Sequence, residues 1–507
     1  MTKIWRLAFA AIIAAVMTTP TLADEASRNA RDREIQELRA RLDRLEREAE
    51  DERIVAGSRL NKVEETQNAV QWSFADGRPS VRSGDGRFEM ALRGRFQFDT
   101  ALYEQDASNF GAAVPPAQLD LGSGAIFRRV RFGVEGRFFR DFIYEMRFDF
   151  GGSDVEGAGA INIMRIGYVG IPHLLVHAGA LKPVFTLYDS TSSADLVAIE
   201  RPAVVTTIVS VFGGDNARRG VEAMFQHENL LWDGDNVLVT AAFTGNRTTG
   251  LGGCENPGHS SGTAPATVDD ECTQLLGRAA FRLWSDGVSN LQIGGSAAQI
   301  LSLQGTNPGG PRNIRFRERP ENRVSGERFV DTGNMASEDA SLYGIELGAN
   351  FENFYIAAEY YRWEVDRVGT ILDPEFSGWY VEGEWIFTGE NKRYQAAATS
   401  NNIAVFRSPT VSSPWSLGGG DGAWSATARY SVIDLNFRED MVAADGGVAG
   451  GEQAITNIGL NWYMNTNLKM QFEYALVDVA RDSAPGMLDG GLDAEFDIYQ
   501  SRVQFTF

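Results

Sequence analysis

The feature that most constrains the fold of this chain is a regular alternation of apolar and charged residues across 127–150. Val130 and Phe132 alternate with Arg129 and Arg131, and the same alternation resumes after a tight turn. Because successive side chains of a strand point to opposite faces, this period of two predicts β-strands with one apolar and one charged face. In a membrane barrel the apolar face contacts lipid and the charged face lines a water-filled lumen, whereas a soluble sandwich must cover its apolar face.

Sixteen segments with this period can be placed after residue 71. An even number of strands is typical of bacterial outer-membrane barrels, and no later apolar run reaches the ~20 residues of a membrane-spanning helix. We therefore predict an all-β fold, a sixteen-stranded antiparallel transmembrane β-barrel over 72–507, preceded by a short N-terminal α-helical coiled coil. The predicted strands are 87–103, 124–139, 141–151, 160–170, 173–182, 219–229, 236–246, 273–285, 290–302, 340–350, 353–365, 376–388, 421–435, 452–464, 467–480 and 495–507.

The connections between these segments alternate in length. Those after even-numbered segments are mostly tight turns, and those after odd-numbered segments are mostly long, as at 183–218 and 303–339. Short periplasmic turns and long extracellular loops are typical of outer-membrane barrels. The connection 389–420 departs from this pattern, since it is long but falls on the short-turn side.

Aromatic residues crowd the predicted strand ends, as in the girdles that mark the two membrane interfaces. The chain also ends in a strand with alternate apolar residues and a terminal Phe507, which resembles the signal read by the barrel assembly machinery. We predict girdle positions for Tyr103, Tyr168, Tyr360, Tyr361, Trp363, Trp379, Tyr380, Trp462, Tyr463 and Tyr499.

The N-terminus, 1–23, has the features of a secretory signal peptide. Lys3 and Arg6 precede an apolar centre, and a small-residue cleavage site ends at Ala23. We therefore expect export and a location in the outer membrane of a Gram-negative bacterium, in contact with lipid and lipopolysaccharide.

The segment 24–71 differs from the rest of the chain. Ile35, Leu38, Leu42 and Leu45 recur at three- and four-residue steps among Glu and Arg, which predicts a periplasmic coiled coil. We expect this seam to support a homotrimer. The alternative is a lone amphipathic helix with a solvated charged face.

The chain has two cysteines, Cys254 and Cys272, in a loop rich in Gly, Ser, Thr and Pro. In an oxidising compartment such a pair predicts a disulfide that pins the loop. A metal site that adds His259 would have three ligands and no recognisable motif, so we predict none.

No catalytic motif is present in the sequence. The histidines form no HExxH or Ser-His-Asp pattern, and neither a Walker loop nor a dinucleotide fingerprint occurs. His227 beside Glu228 is the remaining candidate for a catalytic site at the barrel rim. We therefore predict no enzyme activity, no cofactor and no nucleic-acid partner. A water-filled pore is the function that remains, because a barrel of about sixteen strands is wide enough for an aqueous channel.

Arginines are the candidate selectivity residues, because guanidinium groups in a narrow aqueous site favour anions and bind phosphate in a fork geometry. Those that point into the lumen by phase are Arg93, Arg95, Arg129 and Arg131. Arg128 is out of phase and needs a bulge or a rim position to reach the lumen. Others, including Arg315 and Arg317, cluster in the 303–339 loop. The alternative role for each arginine is neutralisation of lumen carboxylates such as Glu135.

These residues lie in stretches that resemble the phosphate-selective porin O and P family. The resemblance includes RGRFQFD at 93–99, FRRVRFGVEG at 127–136, WYVEGEWIFTGE at 379–390 and GLNWYMNTNLKMQFEYALVDV at 459–479. Further matching elements contain Lys182, Arg201 and Arg219. The matches keep their order over about 400 residues.

The resemblance implies a sixteen-stranded trimeric porin whose third loop folds into the lumen, and a long periplasmic turn that accommodates 389–420. It also implies that Arg95, Arg128 and Arg129 line the narrowest point. The sequence departs from the family in two places. No lysine follows the turn at Arg140, and the third loop carries Asp195 where a basic residue would favour anions.

We therefore predict an outer-membrane porin for passive diffusion of small anions, phosphate or polyphosphate among them, through an arginine-lined constriction. Almost all of the net charge of −21 belongs to 72–507, which opposes anion entry. The alternatives are a general or weakly cation-selective porin, and an envelope-tethering barrel in which the coiled coil is the functional part.

Overall fold

The computed structural model describes residues 25–105, 121–152, 160–213, 217–248, 272–303, 312–369, 372–481 and 492–507. The chain divides into two compact units, Met1–Ala69 and Val70–Phe507. The predicted signal peptide, 1–23, lies outside the described residues. In the described part of the chain, no helix combines the length and apolarity required of a membrane span.

The described part of the first unit contains one helix, α1 (Glu25–Asn68), of 44 residues. The side chains of its predicted seam, Ile35, Leu38, Leu42 and Leu45, are between 42% and 60% exposed. The predicted helix is confirmed, whereas its association into a coiled coil stays a prediction.

The second unit is a closed antiparallel barrel, so the predicted fold class is confirmed. Each strand pairs with its neighbours in sequence, and the last strand closes the barrel by pairing with the first, as in Val503 opposite Phe98. The sixteen strands are β1 (Phe88–Gln105), β2 (Gly124–Phe138), β3 (Phe142–Asp149), β4 (Ala160–Ile171), β5 (Leu174–Leu181), β6 (Arg218–Glu228), β7 (Asn236–Arg247), β8 (Thr273–Ser285), β9 (Asn290–Ser302), β10 (Met335–Phe351), β11 (Phe354–Arg367), β12 (Glu375–Ile386), β13 (Ala423–Phe437), β14 (Val448–Tyr463), β15 (Leu468–Arg481) and β16 (Leu492–Thr506).

Smaller elements decorate the barrel. Two short helices, α2 (Leu187–Ser190) and α3 (Ala203–Val211), lie between β5 and β6. The other elements of the described residues are the short strands Gln71–Ser73, Ser80–Arg82, Asn313–Ile314, Arg317–Glu318, Val330–Asp331, Arg393–Gln395 and Val405–Arg407, and the 3₁₀ turns Ala75–Gly77 and Ala443–Asp445.

Alternation decides which side chains face the lumen, but bulges modify it, and two of them lie beside the candidate site. The register between β1 and β2 shifts by one residue, so that Gln97 pairs with Arg129 and the next residue, Phe98, pairs with Phe127. Arg128 is therefore the extra residue of a bulge, and it is buried beside Arg129 rather than displayed on the lipid face. A second shift between β3 and β4 makes Asn162 the extra residue there.

The predicted girdle assignment is correct for some of the aromatic residues and wrong for others. Tyr360 and Trp379 are on the outward face and are 42% and 38% exposed, whereas Tyr361, Trp363 and Tyr380 are buried inside the barrel. Adjacent residues of a strand cannot share a face, so each aromatic pair contributes one residue to the membrane side and one to the lumen. Tyr463 is likewise buried.

Long segments from both ends enter the lumen. The third loop, between β5 and β6, is buried across its described part, and its helices pack on the inner wall of β10–β13. The segment 312–334 also lies inside, where Phe316 and Val330 join the same apolar cluster. The long turn between β12 and β13 enters from the other end, because Arg278 on β8 donates to the carbonyls of Ile403 and Ala404.

Cys272 is disulfide-bonded and lies just before β8. Cys254, its predicted partner, lies outside the described residues.

Candidate functional site

Two adjoining cavities lie between the third loop and the inner face of β1–β4. The larger, which we call the vestibule, has a volume of about 660 Å³ and opens at the short-turn end, where Asn467 and Phe507 line it. The smaller, which we call the basic pocket, has a volume of about 60 Å³. The residues Arg95, Arg131, Arg147, Ser192 and Asn402 line both cavities, so the two adjoin.

Basic side chains dominate the pocket. Seven basic residues line it, against the two carboxylates of Asp149 and Asp189. The basic residues are Arg95, Arg128, Arg129, Arg131, Arg147, Lys182 and Arg201. The strands fix five of these side chains by alternation or by the bulge, so their guanidinium groups are held by rigid elements.

Arg95 has the least compensated charge of the set. Its guanidinium donates to the Ser193 hydroxyl at 2.5 Å and to the Ser192 hydroxyl at 2.7 Å, and it forms no ion pair with any described residue. Its Nε is buried without a hydrogen-bond partner. A guanidinium whose only partners are hydroxyl groups keeps its full charge toward the cavity, and each hydroxyl can itself donate to an oxyanion.

Arg128 and Arg129 share one carboxylate, that of Glu200 in the third loop. Arg128 Nε lies 2.9 Å and Arg129 Nη1 lies 3.2 Å from Glu200 Oε1, and Arg502 Nη2 lies 2.6 Å from the same oxygen. Burial by itself raises the pKa of the Glu200 carboxyl, but the three guanidinium groups together hold that pKa well below its usual range. Glu200 is therefore ionised at neutral pH.

The remaining basic residues of the pocket have partners of their own. Arg131 Nε lies 2.5 Å from Asp149, and Lys182 Nζ lies 2.7 Å from Asp189. Arg201 donates to the backbone carbonyls of Tyr188, Asp189 and Thr191, which ties together the part of the third loop around α2.

The vestibule continues the positive lining. Nine arginines line it, against four carboxylates, and Arg93 is among them, with its Nη1 2.9 Å from Glu135. Asp195, which as a third-loop acid was expected to oppose anions, accepts from the Ser408 backbone N–H at 2.9 Å and pairs with Arg407. Burial raises the pKa of Asp195, but Arg407 and the Ser408 N–H together lower it below its usual value.

Three of the sequence-predicted site residues lie away from both the basic pocket and the vestibule. Arg219 is exposed on the outward face of β6, in phase with Val221, while the adjacent Arg218 faces inward and binds backbone carbonyls. Arg315 pairs with Asp331, and Arg317 lies in the short strand beside it, in the 312–334 segment. The structure thus does not bring Arg219, Arg315 or Arg317 to the pocket.

Sequence analysis missed several lining residues. Arg147 lies in phase on β3 and Arg165 on β4, so alternation alone could have identified both. Ser192 and Ser193 belong to an irregular loop, where no periodicity indicates which side chains face a cavity.

The rim candidate for a catalytic site, His227 beside Glu228, makes no contact between its imidazole and its neighbour's carboxylate among the described contacts. His227 stacks on His173 with ring centroids 3.9 Å apart, and its Nδ1 lies 2.7 Å from the backbone carbonyl of Glu228 rather than from its carboxylate. Across the described ranges, no group of three or more His, Cys, Asp or Glu side chains could hold a metal ion.

Comparisons with known proteins identify similar sequences and solved structures. Porin O of Pseudomonas aeruginosa is 22% identical over 447 residues, which cover 84% of this chain and 90% of that protein. An uncharacterized protein of Caulobacter vibrioides is 27% identical over 434 residues, covering 85% of this chain and 76% of that protein. Among solved structures, an anion-selective porin from Comamonas acidovorans is 12% identical, with coverage of 83% of this chain and 100% of that chain and a TM-score of 0.43.

The sequence model described as "Phosphate-selective porin O and P" matches residues 100–507, which is most of the chain. A family of porins and a closed sixteen-stranded barrel together point to a channel in the outer membrane rather than an enzyme. This chain belongs to the phosphate-selective porin O and P family.

Proposed function

We propose that this outer-membrane channel passes small inorganic anions, phosphate or polyphosphate among them, and that the basic pocket is its constriction. The observation that carries the proposal is the charge of the pocket, where seven basic side chains face two carboxylates. Arg95 with Ser192 and Ser193 supplies the central contact, since a guanidinium beside two hydroxyls presents several donors to one oxyanion. Arg147 and Arg131 continue the contact into the vestibule.

The negative charge of the chain does not oppose this proposal strongly. The net charge is −21, yet charges separated by water act over only ~8 Å at physiological ionic strength. A narrow site lined by fixed arginines therefore responds to its own side chains more than to carboxylates elsewhere on the surface.

We further propose a homotrimer with α1 in the periplasm. The exposed seam of Ile35, Leu38, Leu42 and Leu45 supports self-association, because a helix gains stability in water by burying such a stripe against other helices. The strand that ends at Phe507 is the proposed contact with the barrel assembly machinery, and the outward aromatic residues contact lipid and lipopolysaccharide.

A planar-bilayer recording under a KCl gradient tests ion preference. We expect a reversal potential that favours chloride over potassium, and a reduction of the chloride current when inorganic phosphate is added. A reversal potential that favours potassium would replace this proposal with a general or weakly cation-selective porin. Anion preference without phosphate block would leave a general anion pore.

Two variants test the assignment of the pocket. The Arg95→Ala, Arg129→Ala double variant should lose most of the anion preference while the barrel still folds, because both arginines line the cavity. Arg219→Ala is the matched control, since this arginine lies on the outward face of β6. If the double variant and Arg219→Ala lost the same share of the anion preference, the basic pocket would not determine the ion selectivity.

Deletion of 24–71 separates a channel from an envelope tether. A porin keeps its conductance per barrel and loses at most its trimers, which are counted by native gel electrophoresis. Unchanged trimers would refute the role of α1 in assembly. A cell-envelope defect with normal conductance would favour the tethering function.

A further inference from the structure

Glu200 is the point at which the third loop meets the arginines of the barrel wall. Its carboxylate is buried, with 4% exposure, and it contacts guanidinium groups of Arg128, Arg129 and Arg502 from β2 and β16. Arg128 and Arg129 line the basic pocket, whereas Glu200 itself does not. The carboxylate thus contacts two arginines of the pocket wall without lining the cavity itself.

We propose that Glu200 is a specificity-determining residue, a fixed internal counter-ion that keeps anion binding in the basic pocket weak enough for rapid transit. The inference rests on the proposed function and deepens it. It assigns a role to a residue that neither lines the cavity nor contacts the passing ion.

The physical reason lies in what conduction requires. A channel site must bind an ion well enough to admit it and weakly enough to release it. A cluster of uncompensated guanidinium groups at close quarters would hold a phosphate-like oxyanion through several charge-assisted hydrogen bonds at once. A fixed carboxylate in contact with two of those guanidinium groups lowers the positive potential in the cavity without occupying the cavity.

The backbone around Glu200 is held by contacts that do not use its carboxylate. The backbone N–H of Ile199 donates to Glu473 at 2.9 Å, and Arg429 donates to the Glu200 carbonyl at 2.8 Å. Arg502 also donates to the Ile199 carbonyl, and it is held by Asp99 through two hydrogen bonds of 2.7 and 2.6 Å. Loss of the Glu200 charge should therefore leave the third loop in place.

The test compares four proteins in planar bilayers, with inorganic phosphate as the probe added to KCl. In Glu200→Gln we expect phosphate to half-block the chloride current at a concentration at least about tenfold lower than in the unmodified channel, and phosphate to leave more slowly. Glu346→Gln is the matched control, because Glu346 is also buried and pairs with Arg278, on β8 and away from the pocket. Its half-blocking concentration should stay unchanged.

The double variant Glu200→Gln, Arg129→Gln removes one negative and one positive charge at the same place. We expect its half-blocking concentration to return to within about threefold of the unmodified channel. A merely structural role for Glu200 would leave the double variant as defective as the single one, and that result would overturn the inference.

The remaining outcomes separate this inference from the proposed function. If the unmodified channel shows no anion preference, the proposed function fails and the inference fails with it. If the unmodified channel prefers anions and is blocked by phosphate while Glu200→Gln gives the same half-blocking concentration, only the inference fails.

Discussion

The inward faces of β1–β3 and of β11–β12 obey the same alternation, yet they carry different side chains. On β1–β3 they present Arg95, Arg129 and Arg147 to a water-accessible cavity. On β11–β12 they include Tyr361 and Trp363, which are buried against the third loop and the 312–334 segment. We call these the basic half and the packed half of the barrel.

The difference shows how one loop can shape a pore. Helices α2 and α3 cover the packed half, so the lumen is filled on one side and open on the other. Polar contacts fix the loop there, because the backbone N–H groups of Leu187 and Tyr188 donate to Glu359 at 2.9 and 3.2 Å. The basic pocket and the vestibule both lie on the basic half, where arginines line them.

The largest expected effect is on the packed half. Trp363 is 1% exposed, and its ring centroid lies 5.6 Å from that of Phe316 and 6.1 Å from that of Phe376. We expect Trp363→Ala to lower the free energy of unfolding by about 3–5 kcal/mol, as large-to-small aromatic changes in cores do. Urea unfolding of the refolded barrel in detergent measures this change in the free energy of unfolding.

The control for that variant is Trp379→Ala, because the Trp379 side chain lies on the outward face and is 38% exposed. Its loss leaves no cavity inside the barrel, so we expect a clearly smaller decrease in stability. Equal decreases for the two tryptophans would show that the packed half is not a cohesive core.

A second prediction concerns the close approach of α3 to β12. A Cβ at Gly378 would lie 2.6 Å from Val204 Cγ2 and 2.8 Å from the Val432 carbonyl oxygen. We expect Gly378→Ala to cost about 1–3 kcal/mol through overpacking and to push the third loop toward the basic half, which lowers single-channel conductance. The matched change Gly383→Ala on the same strand has only one atom at 3.5 Å and should leave conductance unaltered.

Sequence reasoning recovered the basic half better than the packed half, for a physical reason. A charged residue in an alternating strand must face water, so Arg95 and Arg129 could be assigned to the lumen from phase alone. An aromatic residue can face either lipid or a filled lumen, so Tyr361 and Trp363 were misplaced in the girdle. Which loop fills the lumen depends on long-range contacts, such as that between Glu359 and Leu187, that local periodicity does not encode.

The contact between the third loop and the long turn gives a prediction about pH. Since the pKa of Asp195 is lowered in the folded protein, its stabilising contribution is present above its unfolded value of about 3.9 and is lost as pH falls through the folded pKa. Asp195→Asn should cost about 1 kcal/mol at pH 7, because Arg407 is partly exposed and screened. The same difference should persist at pH 5 and shrink as the pH falls below about 3.9. A difference already lost at pH 5 would contradict the assignment.

The smallest expected effect tests whether an exposed and a buried arginine of the barrel behave differently. Arg362 lies on the outward side of β11, with 60% of its side chain exposed, and pairs with Glu375. Solvent screens such a pair, so Arg362→Gln should change the free energy of unfolding by less than about 0.5 kcal/mol. Arg278→Gln leaves the Glu346 carboxylate buried without its partner and should cost several times more. If both variants lost equal stability in the same urea titration, burial of the ion pair would not decide how much it contributes to the stability of this barrel.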